Sequence, residues 1–146
     1  MMAEADKRAL LDLLQRHDIP LIEDDVYGDL YFGLERPKPF IALDGGANTI
    51  YCSSFSKSLA PGYRIGWIAA GGRSHEVMER KLAFSLCGAV LPQVALAEFL
   101  ASGGYDAHLR RVRQLLQGTL ASMADGIEAS FPPETKMSRP SGGFVL

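Results

Sequence analysis

The sequence predicts an α/β fold, and three observations carry that prediction. The elements read in the order helix, three short strands, then helices, an order that belongs to the α/β class. Two of the strands end in loops crowded with reactive side chains. Near the C-terminus an apolar stripe of helical period runs for about six to seven turns. The chain has 146 residues, 47% of them hydrophobic, and a formal net charge of −2. That is enough for one domain or a large piece of a bigger one, with a real core. The weak charge gives no sign of a nucleic-acid or membrane surface. No stretch approaches the roughly 20 apolar residues needed to span a bilayer. Cys52 and Cys87 form neither a CxxC pair nor a metal-ligand spacing, which suits a reducing compartment. A cytoplasmic protein is therefore expected.

The elements follow in order. Leu10, Leu13 and Leu14 recur at helical spacing, predicting an amphipathic helix over about 3–17. Pro20 ends it, and PLIEDD reads as a short buried strand ending in acids. Residues 28–48 are rich in Gly, Pro and charge and read as a long loop with little regular structure. Thr49 to Cys52 predicts a second strand. Tyr63 to Ala70 predicts a third, entered after Pro61-Gly62 and closed by Gly71-Gly72. Ser74 reads as the N-cap of a helix over about 75–86. Pro92 suits the first turn of another helix, stopped at Gly103-Gly104. Leu109, Val112, Leu116, Leu120, Met123 and Ile127 form the long stripe. Its far side carries Arg110, Arg111, Arg113 and Gln117, read as a solvated face rather than a phosphate patch because the stripe runs through it uninterrupted. Pro132-Pro133 ends this helix, and a new element is expected after Arg139-Pro140. The opening helix starts at once, and the close on Gly142-Gly143-Phe144-Val145-Leu146 has the look of a strand cut short. Both suggest a segment of a longer protein; the alternative is a short strand that closes the fold.

Ligands of α/β sheets gather beyond the carboxyl ends of parallel strands, so the two loaded loops draw the chemistry. In YCSSFSKSLAPGYRIGW, Lys57 has Ser53, Ser54 and Ser56 before it and Arg64 after it. A lysine at a strand end is ordinarily solvated. A partly desolvated ammonium, or one near another cation, titrates lower and becomes an amine nucleophile toward an aldehyde. Hydroxyls and a fork-shaped guanidinium suit a phosphate. Lysine, hydroxyls and arginine together would suit a phosphorylated aldehyde. In IEDDVY, the acids Asp24 and Asp25 read as loop or helix caps, or as cation ligands for which no convincing third partner follows. A carboxylate at a strand end can also hold a proton on a heteroaromatic nitrogen, the usual partner of a lysine bound to a pyridine cofactor. Tyr27 can reach the same ring. Together these describe pyridoxal 5′-phosphate. Asp25 is read as a surface or loop-capping acid. His17, His75 and His108, and the aromatics Phe40, Phe84, Phe99 and Trp67, are read as ordinary helix-face, core or interface residues.

SSFSKSLAPGYRIGW resembles the lysine segment of fold-type I, class I/II aminotransferases, and IEDDVYGDL resembles the segment that supplies their aspartate and tyrosine. The order matches, with the acids about thirty residues before the lysine. RPSGGFVL is similar to the entry into the family's small C-terminal domain. More narrowly, both motifs resemble the aminotransferase-like domain of MocR-type regulators, in which a GntR-type winged helix precedes that domain. The resemblance implies a mostly parallel sheet with flanking helices. Residues 1–130 would be the C-terminal part of the large domain, with the long connecting helix at about 104–130, and 131–146 would begin the small domain. It implies that Lys57 forms the internal aldimine and, in a working transaminase, shuttles the proton. It further implies that Asp24 partners the pyridine nitrogen and Tyr27 donates to the ring 3-oxygen, while Ser54, Ser56 and Arg64 hold the phosphate. The expected small molecules are an amino acid and a 2-oxo acid, the expected assembly is a homodimer, and DNA would be met only through a domain absent from this chain. The family's earlier half supplies a glycine-containing phosphate loop, a stacking aromatic and an asparagine, none of which is found in this sequence. The chain alone is thus expected to bind the cofactor weakly or not at all. Arg139 is not assigned the substrate-carboxylate role. Three readings stay open: a catalyst moving an amino group, a sensor whose cofactor occupancy biases a DNA-binding domain, or a structural segment that binds no cofactor.

Overall fold

A computed structural model describes residues 2–145. The elements are α1 (Glu4–Arg16), β1 (Leu21–Asp24), α2 (Phe40–Asp44), β2 (Thr49–Ser54), β3 (Gly66–Ala69), α3 (Ser74–Ser85), α4 (Val90–Ala101) and α5 (Gly104–Ser130). The sheet order is β1-β2-β3. β1 and β2 are parallel, with Asp24 opposite Cys52. β3 runs antiparallel to β2, pairing Gly66 with Ser54 and Ala69 with Tyr51. Burial follows the pairing: the central strand carries Thr49 and Tyr51 inside, whereas all of β3 is exposed.

α1 has Glu4 and Asp6 in its first turn and Arg16 in its last, charges that oppose the helix dipole at both ends. Its half-buried side is Leu10, Leu11 and Leu14, and Leu13 points outward at 44% exposure. The inward stripe is therefore rotated from the one predicted. Residues 28–48 are mostly loop but contain α2, a helical turn the composition hides. Its two leading amides, Phe40 N–H and Ile41 N–H, donate to the Glu23 carboxylate at 2.9 and 3.2 Å. A strand residue thus caps this short helix, satisfying donors that would otherwise be orphaned.

β3 begins three residues later than expected because Pro61–Tyr63 form a 3₁₀ turn. Ser74 is the first residue of α3 rather than its cap; its hydroxyl donates back to Gly71 O at 2.7 Å. Pro92 stands in the first turn of α4, and Gly103, at φ 73°, reverses the chain into α5. That left-handed turn is one that glycine takes without a Cβ penalty. The α5 stripe is largely as predicted: Leu109, Leu120 and Ala124 are buried, while Met123 turns out at 54% exposure. Arg113 is not on the solvated face. Its guanidinium lies 3.9 Å from the centre of the Tyr31 ring, and its Nε–H donates to Asp29 O at 2.7 Å. Of the aromatics expected inside or at an interface, Phe40 and Phe99 are half-buried, while Phe84 is 89% exposed. After Phe131 the chain turns, Thr135 N–H donating to Pro132 O at 2.9 Å, and then runs without helix to a single antiparallel bridge, Tyr31 with Gly142. Leu146, part of the expected final strand, lies outside the described residues. No helix among the described residues is long and apolar enough to cross a membrane.

The turn into β2 is organised by Asp44. Its carboxylate accepts from Gly46 N–H at 2.7 Å, Asn48 N–H at 3.2 Å and the Thr49 hydroxyl at 2.6 Å. Burial pushes its pKa up, and these donors more than reverse that, leaving it below the ordinary carboxylate value. A carboxyl lowered in the folded state stabilises the fold above its unfolded pKa and loses that contribution as pH falls through the folded one. Asp44→Ala is expected to cost about 2 kcal/mol at pH 7, since it strands the hydroxyl of a fully buried Thr49. The gap to wild type should narrow below about pH 4. Urea unfolding at pH 7 and pH 3 measures both, and an undiminished gap at pH 3 contradicts this account.

Candidate functional site at the strand ends

The two parallel strands stop side by side. Beyond Asp24 the ladder continues for one more bond, Asp25 N–H to Cys52 O at 2.9 Å, and the Ser53 hydroxyl donates to Asp25 O at 2.9 Å. The end of β1 and the exit of β2 are therefore one unit. Past β2 the chain makes a tight turn in which Leu59 and Ala60 N–H both donate to Phe55 O at 2.9 Å, and Phe55 N–H donates to Ile65 O at 3.0 Å. Lys57 sits in this turn with its side chain exposed. Its neighbours are fixed. Phe55 packs on Trp67 with centroids 4.7 Å apart and meets Tyr105 edge-on at 5.5 Å, and Ser58 is 3% exposed.

The predicted phosphate residues fall together. Ser56 N–H reaches Ser54 Oγ at 3.4 Å, and the Arg64 guanidinium reaches Ser56 Oγ at 3.3 Å. Arg64 holds a left-handed backbone, φ 54° and ψ 38°, a conformation that costs a non-glycine residue energy and tends to mark functional turns. Gly66 allows the close approach beside them: a Cβ there would stand 2.8 Å from Ser53 O. On the other side, Asp24 and Tyr27 line a groove of about 350 Å³ with Lys7, Gly28 and Phe40. Tyr27 packs edge-on against Phe144, centroids 5.2 Å apart, so the end of the chain returns to this point. The six predicted residues thus form two groups on adjacent strand ends, with Lys57 and Arg64 outside the groove that takes Asp24 and Tyr27. Among the described residues Asp24 and Lys57 have no ion-pair partner. An uncommitted amine, a hydroxyl pair with a guanidinium, and a free carboxylate with a phenol are groups whose chemistry fits a phosphorylated aldehyde on a basic ring. Cys52, below Asp24, is held protonated: burial raises its thiol pKa and the Asp24 charge raises it further.

Asp25 differs from the surface acid expected. Its carboxylate takes the Arg36 guanidinium at 2.7 Å and the Tyr51 hydroxyl at 3.0 Å. Arg36 also pairs with Asp29 at 3.3 Å. Burial lowers the Arg36 pKa, and Asp29, Tyr51 and Asp25 together more than restore it, so the ion stays charged. From Asp29 the chain of contacts passes to the Tyr105 hydroxyl at 2.9 Å, then to Ser58 Oγ at 2.8 Å, while His108 Nε2 lies 2.9 Å from Ser58 O. Sequence reading missed Asp29, Arg36, Tyr51, Ser58 and Tyr105 and gave His108 no partner. The one local signal was that Ser58 directly follows Lys57.

The family description "Aminotransferase class I and II" matches residues 1–146. The chain is 44% identical, over all of its length, to the uncharacterized HTH-type transcriptional regulator YjiR of Escherichia coli, of which it covers 31%. It is 34% identical over 99% of its length to aromatic-amino-acid aminotransferase 1 of Thermococcus litoralis, covering 35% of that protein. Among solved structures it superimposes on Pyrococcus horikoshii kynurenine aminotransferase, solved with PMP, at a TM-score of 0.91 and 32% identity. That match covers 98% of this chain and 36% of the other. The chain spans about a third of the length of these relatives.

Proposed function

We propose a function from one premise: the chain belongs to the class I and II aminotransferase family. Its part is to hold pyridoxal 5′-phosphate across the ends of β1 and β2. When bound, the cofactor supplies an aldehyde for an amine to condense with and a ring that draws electron density from the attached group. Lys57 would present the amine to that aldehyde. Ser54, Ser56 and Arg64 bind the phosphate through charge-assisted hydrogen bonds. Asp24 keeps a proton on the ring nitrogen, and Tyr27 donates its hydroxyl to the ring 3-oxygen.

The protein that carries this segment is a transcriptional regulator with an aminotransferase-like domain, of the MocR type within the GntR family. The observation supporting this is the 44% identity to an HTH-type regulator across the whole chain, against 34% to an aminotransferase. In this reading residues 1–130 complete the large domain and 131–146 begin the small one. The protein is a cytoplasmic homodimer that senses an amino acid or 2-oxo acid and meets DNA through another domain. The second reading, favoured by the aminotransferase relatives, is an enzyme that moves an amino group between those two substrates using the same residues. The full-length protein separates them. It is expected to retard the intergenic DNA beside its gene in a cofactor-dependent way and to form no product from amino acid and 2-oxo acid mixtures. Turnover without DNA binding would replace the regulator with the aminotransferase.

A further inference from the structure

We propose that Tyr105 of α5 is a positioning residue for Lys57, acting through Ser58 with His108 as second anchor; this rests on the reading of Lys57 as the cofactor lysine. The lysine side chain is exposed and has no ion-pair partner of its own among the described residues. What fixes its place is the residue after it. Ser58 is 3% exposed and is held at two atoms: its hydroxyl by Tyr105 at 2.8 Å, its carbonyl by His108 Nε2 at 2.9 Å.

The protons can be placed by elimination. The Asp29 carboxylate only accepts, so the single Tyr105 hydroxyl proton goes to it at 2.9 Å. The Ser58 hydroxyl therefore donates to the Tyr105 oxygen. A carbonyl also only accepts, so His108 carries a proton on Nε2. Asp29 is held in turn by Arg36 at its carboxylate and by Arg113 at its carbonyl. The Lys57 turn is thus tied to α5, although 47 positions separate Ser58 from Tyr105. A fixed turn matters because a misplacement of about 1 Å at a reacting group can cost on the order of a hundredfold in rate.

The test uses the full-length protein with pyridoxal 5′-phosphate. Lys57 Nζ replaces the aldehyde oxygen, which leaves as water, and added borohydride supplies the hydride that makes the new C–N bond permanent. Tyr105→Phe keeps the ring edge-on to Phe55 and removes only the hydroxyl. It is expected to slow labelling of Lys57 about tenfold and to reduce the cofactor's induced circular dichroism per unit of absorbance. His108→Gln, which retains an N–H donor, should label nearly as wild type, and His108→Leu should not. Asp44→Ala serves as a variant destabilised elsewhere. Equal losses in Tyr105→Phe and Asp44→Ala, or no change in either signal for Tyr105→Phe, overturn the positioning role and leave Lys57 standing. A wild-type protein that labels no lysine preferentially removes the Lys57 reading and this inference with it.

Discussion

Lys57→Ala is expected to abolish the preferential pyridoxyl label that borohydride leaves at position 57 of the full-length protein, while its unfolding free energy stays within about 0.5 kcal/mol of wild type. The side chain is exposed and pairs with nothing among the described residues, so its loss removes chemistry rather than packing. Four other lysines, Lys7, Lys38, Lys81 and Lys136, act as internal references within this segment. Each is an amine able to condense with an aldehyde, yet none has the Ser54, Ser56 and Arg64 group beside it. The label on Lys57 should exceed that on Lys81 or Lys136 by at least about tenfold, the ratio that 1.4 kcal/mol of phosphate binding provides. Lys57→Arg separates charge from nucleophilicity: it retains the cation and should be as unlabelled as the alanine variant. Peptide mass spectrometry reads all of these at once. A label spread evenly over the lysines would show that the turn confers no selectivity.

What could be read in advance follows from how far apart the interacting residues lie. Lys57, Ser54, Ser56 and Arg64 fall within eleven positions and share one turn, so residue types and spacing alone pointed to an anion grip. α5 was legible because burial of Leu109 and Leu120 needs only a period and two stops. The Asp25–Arg36 pair and the Asp29–Tyr105–Ser58 chain join residues 11, 76 and 47 positions apart, and no local pattern marks such partners. The two acids illustrate the difference. In an extended strand neighbouring side chains point to opposite sides, and here Asp24 is exposed while Asp25 is half-buried against Arg36 and Tyr51. Residue type could not say which would face the network. α2 was hidden for a related reason: its cap is Glu23 from β1, a tertiary partner standing where a local one is expected.

Gly28→Ala is expected to destabilise the protein by about 2–4 kcal/mol, through one collision. A Cβ at Gly28 would stand 2.2 and 2.4 Å from the two oxygens of Asp25. A carboxylate on a long, solvated side chain would swing away at little cost. This one is short and held by Arg36 at 2.7 Å and Tyr51 at 3.0 Å, so moving it breaks charge-assisted bonds. Burial and the Asp25 charge raise the Tyr51 pKa, so the hydroxyl remains protonated at neutral pH and loses its acceptor when Asp25 moves. Asp25→Ala alone should also cost stability, because Arg36 would lose its 2.7 Å ion pair and retain only Asp29 at 3.3 Å and the Tyr51 hydroxyl oxygen at 3.0 Å. The double variant tells the two contributions apart. Asp25→Ala removes the three atoms that would stand nearest the new Cβ, and Gly28→Ala should then cost less than about 0.5 kcal/mol. Urea unfolding of the four proteins completes the cycle. A cost at Gly28 that survives removal of Asp25 would place the need for glycine in the backbone, and the tight turn joining Asp24 to Tyr27 would then depend on chain conformation rather than on the Asp25–Arg36 pair.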